Sequence, residues 1–181
     1  MKFIETTLKG AYIIEMERQN DERGFFARAF CKNEFSAIGL DSNIVQVNNS
    51  FSAKKGTLRG MHYQLDPKSE DKMVRCISGA VFDVIIDLRQ GSDSYCHWIG
   101  IELNAENRKS LFVPKGFAHG YVSLVANTEI LYMSTEFYSP IYERGIRWND
   151  PLFKIDWLID PLIISGKDRN HPDFNIENLL K

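Results

Sequence analysis

The sequence predicts an all-β fold, either a jelly roll or a closed barrel, formed by a single domain of 181 residues. The main reason is the stretch from residue 11 to residue 131. There, short runs of β-branched and aromatic residues are separated by Gly, Asn, Asp or Pro at spacings typical of a sandwich or barrel. A second reason is that no Pro/Ser-rich linker and no block of like charge divides the chain.

About ten short strands are predicted along the chain. They cover residues 11–17, 25–30, 44–50, 57–64, 73–78, 81–88, 97–103, 110–113, 120–124 and 129–134. One short helix is predicted at residues 32–38, which leaves helix a minor component.

Two of these regions predict how strands pair. Gly79 predicts a hairpin between the strands on either side of it, because glycine adopts positive φ readily. Ile99, Ile101 and Leu103 alternate with small or polar residues, as the inward positions of a half-buried antiparallel strand should.

The stretch 81–87 is apolar at both odd and even positions apart from Asp83 and Asp87. This pattern predicts a strand that is buried on both faces, inside a sandwich or at a subunit interface. The two aspartates are interpreted as paired structural carboxylates.

From about residue 137 the composition changes to turn-forming pairs and aromatic residues, including Tyr138, Trp148 and Trp157. We expect this C-terminal segment to pack over the barrel and to return residues 165–168 to the core.

Charge and composition exclude several classes of protein. With 22 basic and 24 acidic side chains and a net charge of −2, neither nucleic acid nor an anionic membrane is indicated as a partner. The N-terminus turns polar too early for a signal peptide and no apolar run is long enough to span a membrane, so a cytoplasmic location is expected. Cys31, Cys76 and Cys96 lack CxxC spacing and predict reduced thiols.

The histidines do not have the spacing of a metal site. His62, His97, His119 and His171 form no His-x-His pair, so neither a metal nor another cofactor is expected. The common motifs of serine hydrolases, phosphate-binding loops and dinucleotide-binding folds are also missing from the sequence. What remains is acid/base chemistry by side chains alone.

Seven stretches together resemble one enzyme family in order and spacing. They are 21–26 (DERGFF), 56–64 (GTLRGMHYQ), 72–76 (KMVRC), 82–84 (FDV), 114–120 (PKGFAHG), 138–140 (YSP) and 165–168 (SGKD). The family is that of the dTDP-4-dehydrorhamnose 3,5-epimerases. The resemblance implies a cupin-type double-stranded β-helix jelly roll, a cofactor-independent isomerase, and a homodimer whose sites borrow residues across the interface.

The resemblance also implies the reaction and its catalytic residues. The substrate would be a nucleoside-diphosphate 4-keto-6-deoxyhexose, most simply dTDP-4-dehydro-6-deoxyglucose, inverted at C3, C5 or both. His62 resembles the base, a role that suits an imidazole near neutrality, and Asp168 resembles the carboxylate that orients it. Lys72 resembles the cation at the enolate oxygen, and Tyr132 the acid on the opposite face of the ring.

Further positions resemble substrate contacts of the family. Arg23 and Arg59 correspond to diphosphate clamps, and Tyr138 to an aromatic residue that stacks on the base. The remaining positions are Gln46, Asn48, His119, Glu143 and Lys167.

Strand parity predicts one irregularity. Side chains alternate along a strand, so Arg59 and His62 would point to opposite faces if the strand were regular. If both serve one site, the strand contains a bulge, and Gly60 permits one.

One departure from the family leaves the nucleotide open. Arg28 is also predicted to contact the substrate, but it occupies a position where the family has Glu, and a guanidinium cannot accept the N3 proton of thymine. A single-site epimerase acting on a CDP-linked or other nucleotide sugar is therefore an alternative. A sugar-nucleotide ketoisomerase and a non-catalytic sugar-nucleotide-binding jelly roll are two more.

Overall fold

The structure is a computed structural model that describes residues 1–175. Its strands, in chain order, are β1 (Lys2–Glu5), β2 (Tyr12–Glu15), β3 (Gln19–Asp21), β4 (Gly24–Phe26), β5 (Gln46–Ser52), β6 (Thr57–Gln64), β7 (Lys72–Ser78), β8 (Ala80–Asp87), β9 (Trp98–Asn104), β10 (Ser110–Val113), β11 (Phe117–Ser123), β12 (Thr128–Ser134), β13 (Glu143–Gly145) and β14 (Ile163–Ile164). The two helices are α1 (Lys32–Ala37) and α2 (Gly166–Arg169). The prediction of an all-β protein with one short helix after residue 31 is confirmed, and β6 has the predicted bounds.

The strands form two main sheets and one small hairpin. The first sheet has the order β1-β2-β10-β7-β12-β5, and the second has the order β13-β6-β11-β8-β9 with β14 beside β6. Strands β3 and β4 pair only with each other in the described chain. Neighbours along both sheet orders run antiparallel, whereas β14 lies parallel to β6.

The hydrophobic residues form layers around these sheets. One cluster joins residues of the first sheet, such as Val74 and Ile130, to residues of the second, such as Ile85 and Leu103, so the sheets pack face to face. The alternation predicted around Ile101 is confirmed, since β9 pairs antiparallel with β8 and lies against this cluster.

Strand β8 is buried on both faces, as its apolar sequence predicts. Val81 and Ile85 lie in the cluster between the sheets, whereas Val84 and Ile86 lie in a second cluster on the other face of the second sheet. Ile146, Trp148, Phe153 and Trp157 of the C-terminal segment belong to this second cluster. That segment therefore covers the outer face of the second sheet, while the assignment of the whole chain to one domain stays a prediction.

The predicted hairpin at Gly79 is wrong. Gly79 does have a positive φ of 73° between β7 and β8, but these strands belong to different sheets. The turn is a corner from one sheet to the other, which the local sequence cannot distinguish from a hairpin because both need the same backbone conformation. Strands β1, β3, β13 and β14 and helix α2 were not predicted, since two to four residues carry too little periodicity.

The predicted irregularity in β6 is confirmed. His62 pairs with His119 and Arg59 pairs with Tyr121, so three steps along β6 match two steps along β11. The extra residue lies next to Gly60, whose φ is +126°. A Cβ atom at Gly60 would lie 2.5 Å from the Cα of Gly120, so only glycine fits without moving backbone. The bulge lets Arg59 and His62 face the same side of the sheet.

We expect Gly60→Ala to destabilise the protein by about 3 kcal/mol or more, because it adds a backbone clash to the cost of a positive φ. Gly39→Ala is the matched control. Gly39 also has a positive φ, of +79°, but a Cβ there meets no atom within 4 Å, so only about 1 kcal/mol of strain is expected. Urea unfolding of both variants measures the difference, and equal losses would contradict this account of the bulge.

Candidate active site

Two neighbouring cavities contain most of the residues predicted for the site. The larger, which we call the main cavity, has a volume of about 720 Å³ and is lined by strands of both sheets and by the β14–α2 segment. The smaller, which we call the side cavity, has a volume of about 330 Å³. His62, Lys72 and Tyr132 line both cavities. Volumes of this order suit a small organic ligand.

His62 and Asp168 form a hydrogen-bonded pair in the wall of the main cavity. Nε2 of His62 lies 2.7 Å from Oδ1 of Asp168, and the side chains are 31% and 6% exposed. The backbone N–H of Gly60 donates to Oδ2 of Asp168 at 3.3 Å. With Nε2 bound to the carboxylate, Nδ1 is the ring nitrogen that can exchange a proton with a ligand.

The short helix α2 carries Asp168 to His62. Strand β14 pairs in parallel with the start of β6, with Ile163 opposite Thr57, and α2 follows directly. The hydroxyl of Ser165 caps α2 by accepting the backbone N–H of Asp168 at 3.0 Å. Burial raises the pKa of Asp168, but the hydrogen bond and charge of His62 outweigh it and hold the pKa below its ordinary value. Asp168 is therefore an anion beside the imidazole at neutral pH.

Lys72 and Tyr132 lie on the opposite sheet, side by side. Tyr132 pairs with Val74 and Ser134 pairs with Lys72 between β12 and β7, which places Lys72 and Tyr132 on one face. Nζ of Lys72 contacts Oε1 of Glu70 at 3.0 Å, and both side chains are largely buried. Burial, together with the negative charge of Glu70, raises the pKa of Tyr132, although Arg59 opposes this. The phenol is therefore protonated at neutral pH.

His119 and Arg59 complete the wall of the main cavity. Nε2 of His119 lies 3.0 Å from both carboxylate oxygens of Asp83, which is fully buried in β8. The Nη2 atom of Arg59 donates to the carbonyl of Phe51 at 3.0 Å. The ion pairs of residues 1–175 include no carboxylate partner for Arg59, so its charge is available to an anionic ligand.

The side cavity brings together four predicted substrate contacts. Gln46 donates to Oδ1 of Asn48 at 3.0 Å and accepts the backbone N–H of Tyr138 at 3.2 Å. The hydroxyl of Tyr138 donates to Oε2 of Glu143 at 2.7 Å. Lys167 lies behind Glu143, with Nζ at 2.6 Å from the same oxygen. This pairing raises the pKa of Lys167, so its ammonium group is firmly charged.

Three predicted contacts line neither cavity in the described part of the chain: Arg23, Arg28 and Lys167, of which Lys167 contacts Glu143 in the wall of the side cavity. Arg23 lies at the turn between β3 and β4, is 84% exposed and pairs with Asp21. Arg28 is 62% exposed and contacts Glu34 at 2.9 Å. The hairpin that carries Arg23 pairs with neither main sheet in residues 1–175, so strand pairing does not hold it beside the cavities.

Several residues of the site were not assigned a role from the sequence. Asp83 was interpreted only as structural, although a carboxylate in an apolar strand is itself a signal of a buried partner. Glu70 contacts Lys72 from two positions away, a spacing that places both on one face of an extended chain. Tyr121 lines the main cavity and exchanges a hydrogen bond of 2.8 Å with Ser50, and no sequence pattern distinguished it from a core aromatic residue. His171, 3.6 Å from Asp168, was also left unassigned.

His62, Asp168 and His171 place three ligand-type atoms within 4.8 Å of one another. Asp168 already binds His62 through a short hydrogen bond, so we assign no metal to this group. The expectation that the chemistry needs no metal stays a prediction.

Known proteins match this chain over nearly its whole length. A family model described as dTDP-4-dehydrorhamnose 3,5-epimerase matches residues 5–175. A relative of that description from Methanothermobacter thermautotrophicus is 48% identical over 172 residues, which are 93% of this chain and 92% of the relative.

Solved structures agree with this match. The crystal structure of dTDP-4-dehydrorhamnose 3,5-epimerase from Bacillus anthracis, with TDP and PPi bound, has a TM-score of 0.92 and 40% identity, covering 96% of this chain and 99% of that one. The crystal structure of dTDP-6-deoxy-D-glucose-3,5-epimerase from Legionella pneumophila, in complex with dTDP-4-keto-L-rhamnose, has a TM-score of 0.90 and 37% identity, covering 99% and 94%.

Proposed function

Since this chain belongs to the dTDP-4-dehydrorhamnose 3,5-epimerase family, we propose that it inverts the carbons next to the 4-keto group of a nucleotide sugar. The residues that line both cavities are proposed to catalyse this inversion. The protein is an isomerase that acts on dTDP-4-dehydro-6-deoxyglucose to give dTDP-4-dehydrorhamnose. The expected cupin-type jelly roll is confirmed. The comparisons do not favour the ketoisomerase, the binding-only protein or the epimerase of CDP-linked sugars.

One observation carries the mechanism: a base and an acid face one cavity from different sheets. His62 is on β6 of the second sheet and Tyr132 is on β12 of the first, and both line the main and the side cavity. Inversion of a carbon requires removal of a proton from one face and return of a proton to the other. A protonated phenol on one side of the cavity and an imidazole on the other meet that requirement.

In the first step, His62 takes the proton from the carbon next to the carbonyl and becomes an imidazolium. The negative charge moves to the carbonyl oxygen, where the ammonium group of Lys72 stabilises it. Asp168 stabilises the imidazolium, because its carboxylate contacts Nε2. In the second step, Tyr132 donates its proton to the opposite face of the same carbon, and exchange with water then restores both residues. Only side chains take part, so the proposed reaction uses no cofactor.

The surrounding residues are proposed to hold the substrate. Arg59 has no carboxylate partner among the ion pairs of residues 1–175, which favours a contact with the diphosphate. Hydrogen-bonding groups around the sugar are proposed to come from Gln46, Asn48, His119, Glu143 and Lys167. Tyr138 is half exposed at the rim of the side cavity, where a nucleobase can stack on it.

Arg23 and Arg28 are proposed to contact substrate in the site of a second copy of the chain. Arg23 projects from the β3–β4 hairpin together with Phe25 and Phe26, which are 39% and 72% exposed. Exposed aromatic residues beside a cation favour an interface with another chain. A homodimer with shared sites would place this hairpin over the partner's cavity and bury these rings.

Among residues 1–175, no helix is long and apolar enough to cross a membrane. The predicted cytoplasmic location stays a prediction, as does the prediction that nucleic acid is not a partner.

We expect His62→Asn to abolish deuterium incorporation at the inverted carbons when the protein turns over its 4-keto sugar nucleotide in deuterated water. Asparagine keeps a hydrogen-bonding group for Asp168 but cannot take up the proton. His119→Asn is the matched control, because His119 also contacts a buried Asp at the same cavity and is proposed only to bind substrate. It should raise KM and keep exchange at saturating substrate, whereas retained exchange in His62→Asn with intact dTDP binding would refute the assignment of the base.

Mixed dimers test whether the sites are shared. Arg23→Ala and His62→Asn homodimers should each be nearly inactive, one through lost diphosphate binding and the other through the lost base. After subunit exchange at equal amounts, half of the dimers are mixed and each has one intact site, so about a quarter of wild-type activity should return. No recovery, with mixing confirmed by mass, would show that Arg23 does not serve the partner's site.

A further inference from the structure

His171 lies against the catalytic pair without being part of it. Its ring centroid is 5.5 Å from that of His62, with the ring planes at 81°. Its side chain is only 12% exposed, although it follows α2 near the end of the described chain. This histidine is therefore largely buried beside the pair, although it lines neither cavity in residues 1–175.

The backbone makes room for this ring at Gly145. Gly145 is the residue of β13 that pairs directly with His62 of β6. A Cβ atom at Gly145 would run into Cε1, Nε2 and Cδ2 of His171. The ring of His171 thus occupies the space that a side chain opposite His62 would fill.

The chemistry of His171 points to Asp168. Its Nε2 atom is buried, has no hydrogen-bond partner among residues 1–175 and lies 3.6 Å from Oδ1 of Asp168. That oxygen is the one that binds His62 at 2.7 Å. A distance of 3.6 Å is too long for a hydrogen bond, but a shift of about half an ångström would form one. Two imidazoles therefore face the same carboxylate oxygen.

We propose that His171 is a positioning residue that keeps His62 in its neutral, proton-accepting form near neutral pH by competing for Asp168 and by excluding water from the pair. This inference rests on the proposed function, in which His62 must be neutral to act as the base. Asp168 alone would favour the imidazolium, because a carboxylate stabilises an adjacent cation. A second imidazole at the same oxygen weakens that preference, whether it donates a hydrogen bond or carries a charge.

The charges around His171 agree with this role. Burial is the main cause that lowers the pKa of His171, and the charge of His62 lowers it further. Asp168 opposes this from α2 and Glu143 from β13, whereas Lys167 of α2 lowers the pKa as well. Arg147 and Asp173, on the neighbouring segments, pair with each other. Because electrostatic coupling is mutual, a proton on His171 equally disfavours one on His62.

The test is the pH profile of kcat/KM for His171→Ala and His171→Asn, with His97→Ala as the matched control. His97 is an exposed histidine outside both cavities. Removal of His171 admits water and leaves Asp168 to interact with His62 alone, which favours the protonated form of His62. The acid limb of the pH profile of kcat/KM should therefore move to higher pH. We expect kcat/KM at pH 6 to fall about threefold or more in His171→Ala, with less than a twofold change at pH 8.5. His171→Asn should shift in the same direction, and His97→Ala should match the wild type.

An unchanged acid limb, or one moved to lower pH in both His171 variants, would overturn the proposal and leave His171 a space-filling residue. Titration of the His62 ring, followed by NMR in the same proteins, gives a readout that does not need turnover. Its midpoint should rise in both His171 variants, and no rise would again overturn the proposal. If the wild type shows no turnover, the proposed function fails, while the NMR titration still decides the role of His171.

Discussion

The candidate site depends on the bulge in β6. Without the extra residue at Gly60, Arg59 and His62 would lie on opposite faces of the second sheet. The same glycine donates its N–H to Asp168, so one backbone position serves both the direction of His62 and the anchoring of its carboxylate partner. Met61, next to the bulge, exchanges two backbone hydrogen bonds with Ile146, which satisfies the polar groups that the irregular pairing would leave open.

The second requirement is the return of the C-terminal segment. Asp168 is 106 positions from His62 in sequence, and the two meet because aromatic residues of this segment cover the outer face of the second sheet and β14 joins β6. Several cations of the site have an acidic partner: Lys72 contacts Glu70, and Lys167 contacts Glu143. Pairing offsets the cost of burying Lys72, and it holds both lysine side chains in place before a ligand binds. Arg59 is bonded to a carbonyl instead, which is the basis for proposing that its charge meets the ligand.

Local sequence patterns were sufficient to predict several features of the fold. Periodicity gave the bounds of β6 and the two-sided burial of β8, and the parity of Arg59 and His62 gave the bulge. The corner at Gly79 was wrongly predicted to be a hairpin, because a glycine turn has the same local sequence whether the next strand joins the same sheet or the other one. Arg23 and Arg28 show a different limit, since the fold of one chain leaves both outside the two cavities, and local sequence patterns do not encode the contact with a second chain that we propose for them. His171 shows a third limit. Its ring lies beside His62 because Gly145 has no side chain to fill that space, and a glycine in the sequence does not indicate which ring it makes room for.

His62 and Tyr132 are proposed to act on opposite faces of one carbon, and turnover of Tyr132→Phe in deuterated water separates their two steps. Without the phenol, His62 can still remove a proton and return a deuteron to the face from which it came. We expect recovered, uninverted substrate to gain deuterium next to its carbonyl, while epimer formation falls by about a hundredfold or more. Recovered substrate without deuterium, or epimer formed at the wild-type rate, would contradict the two-face mechanism.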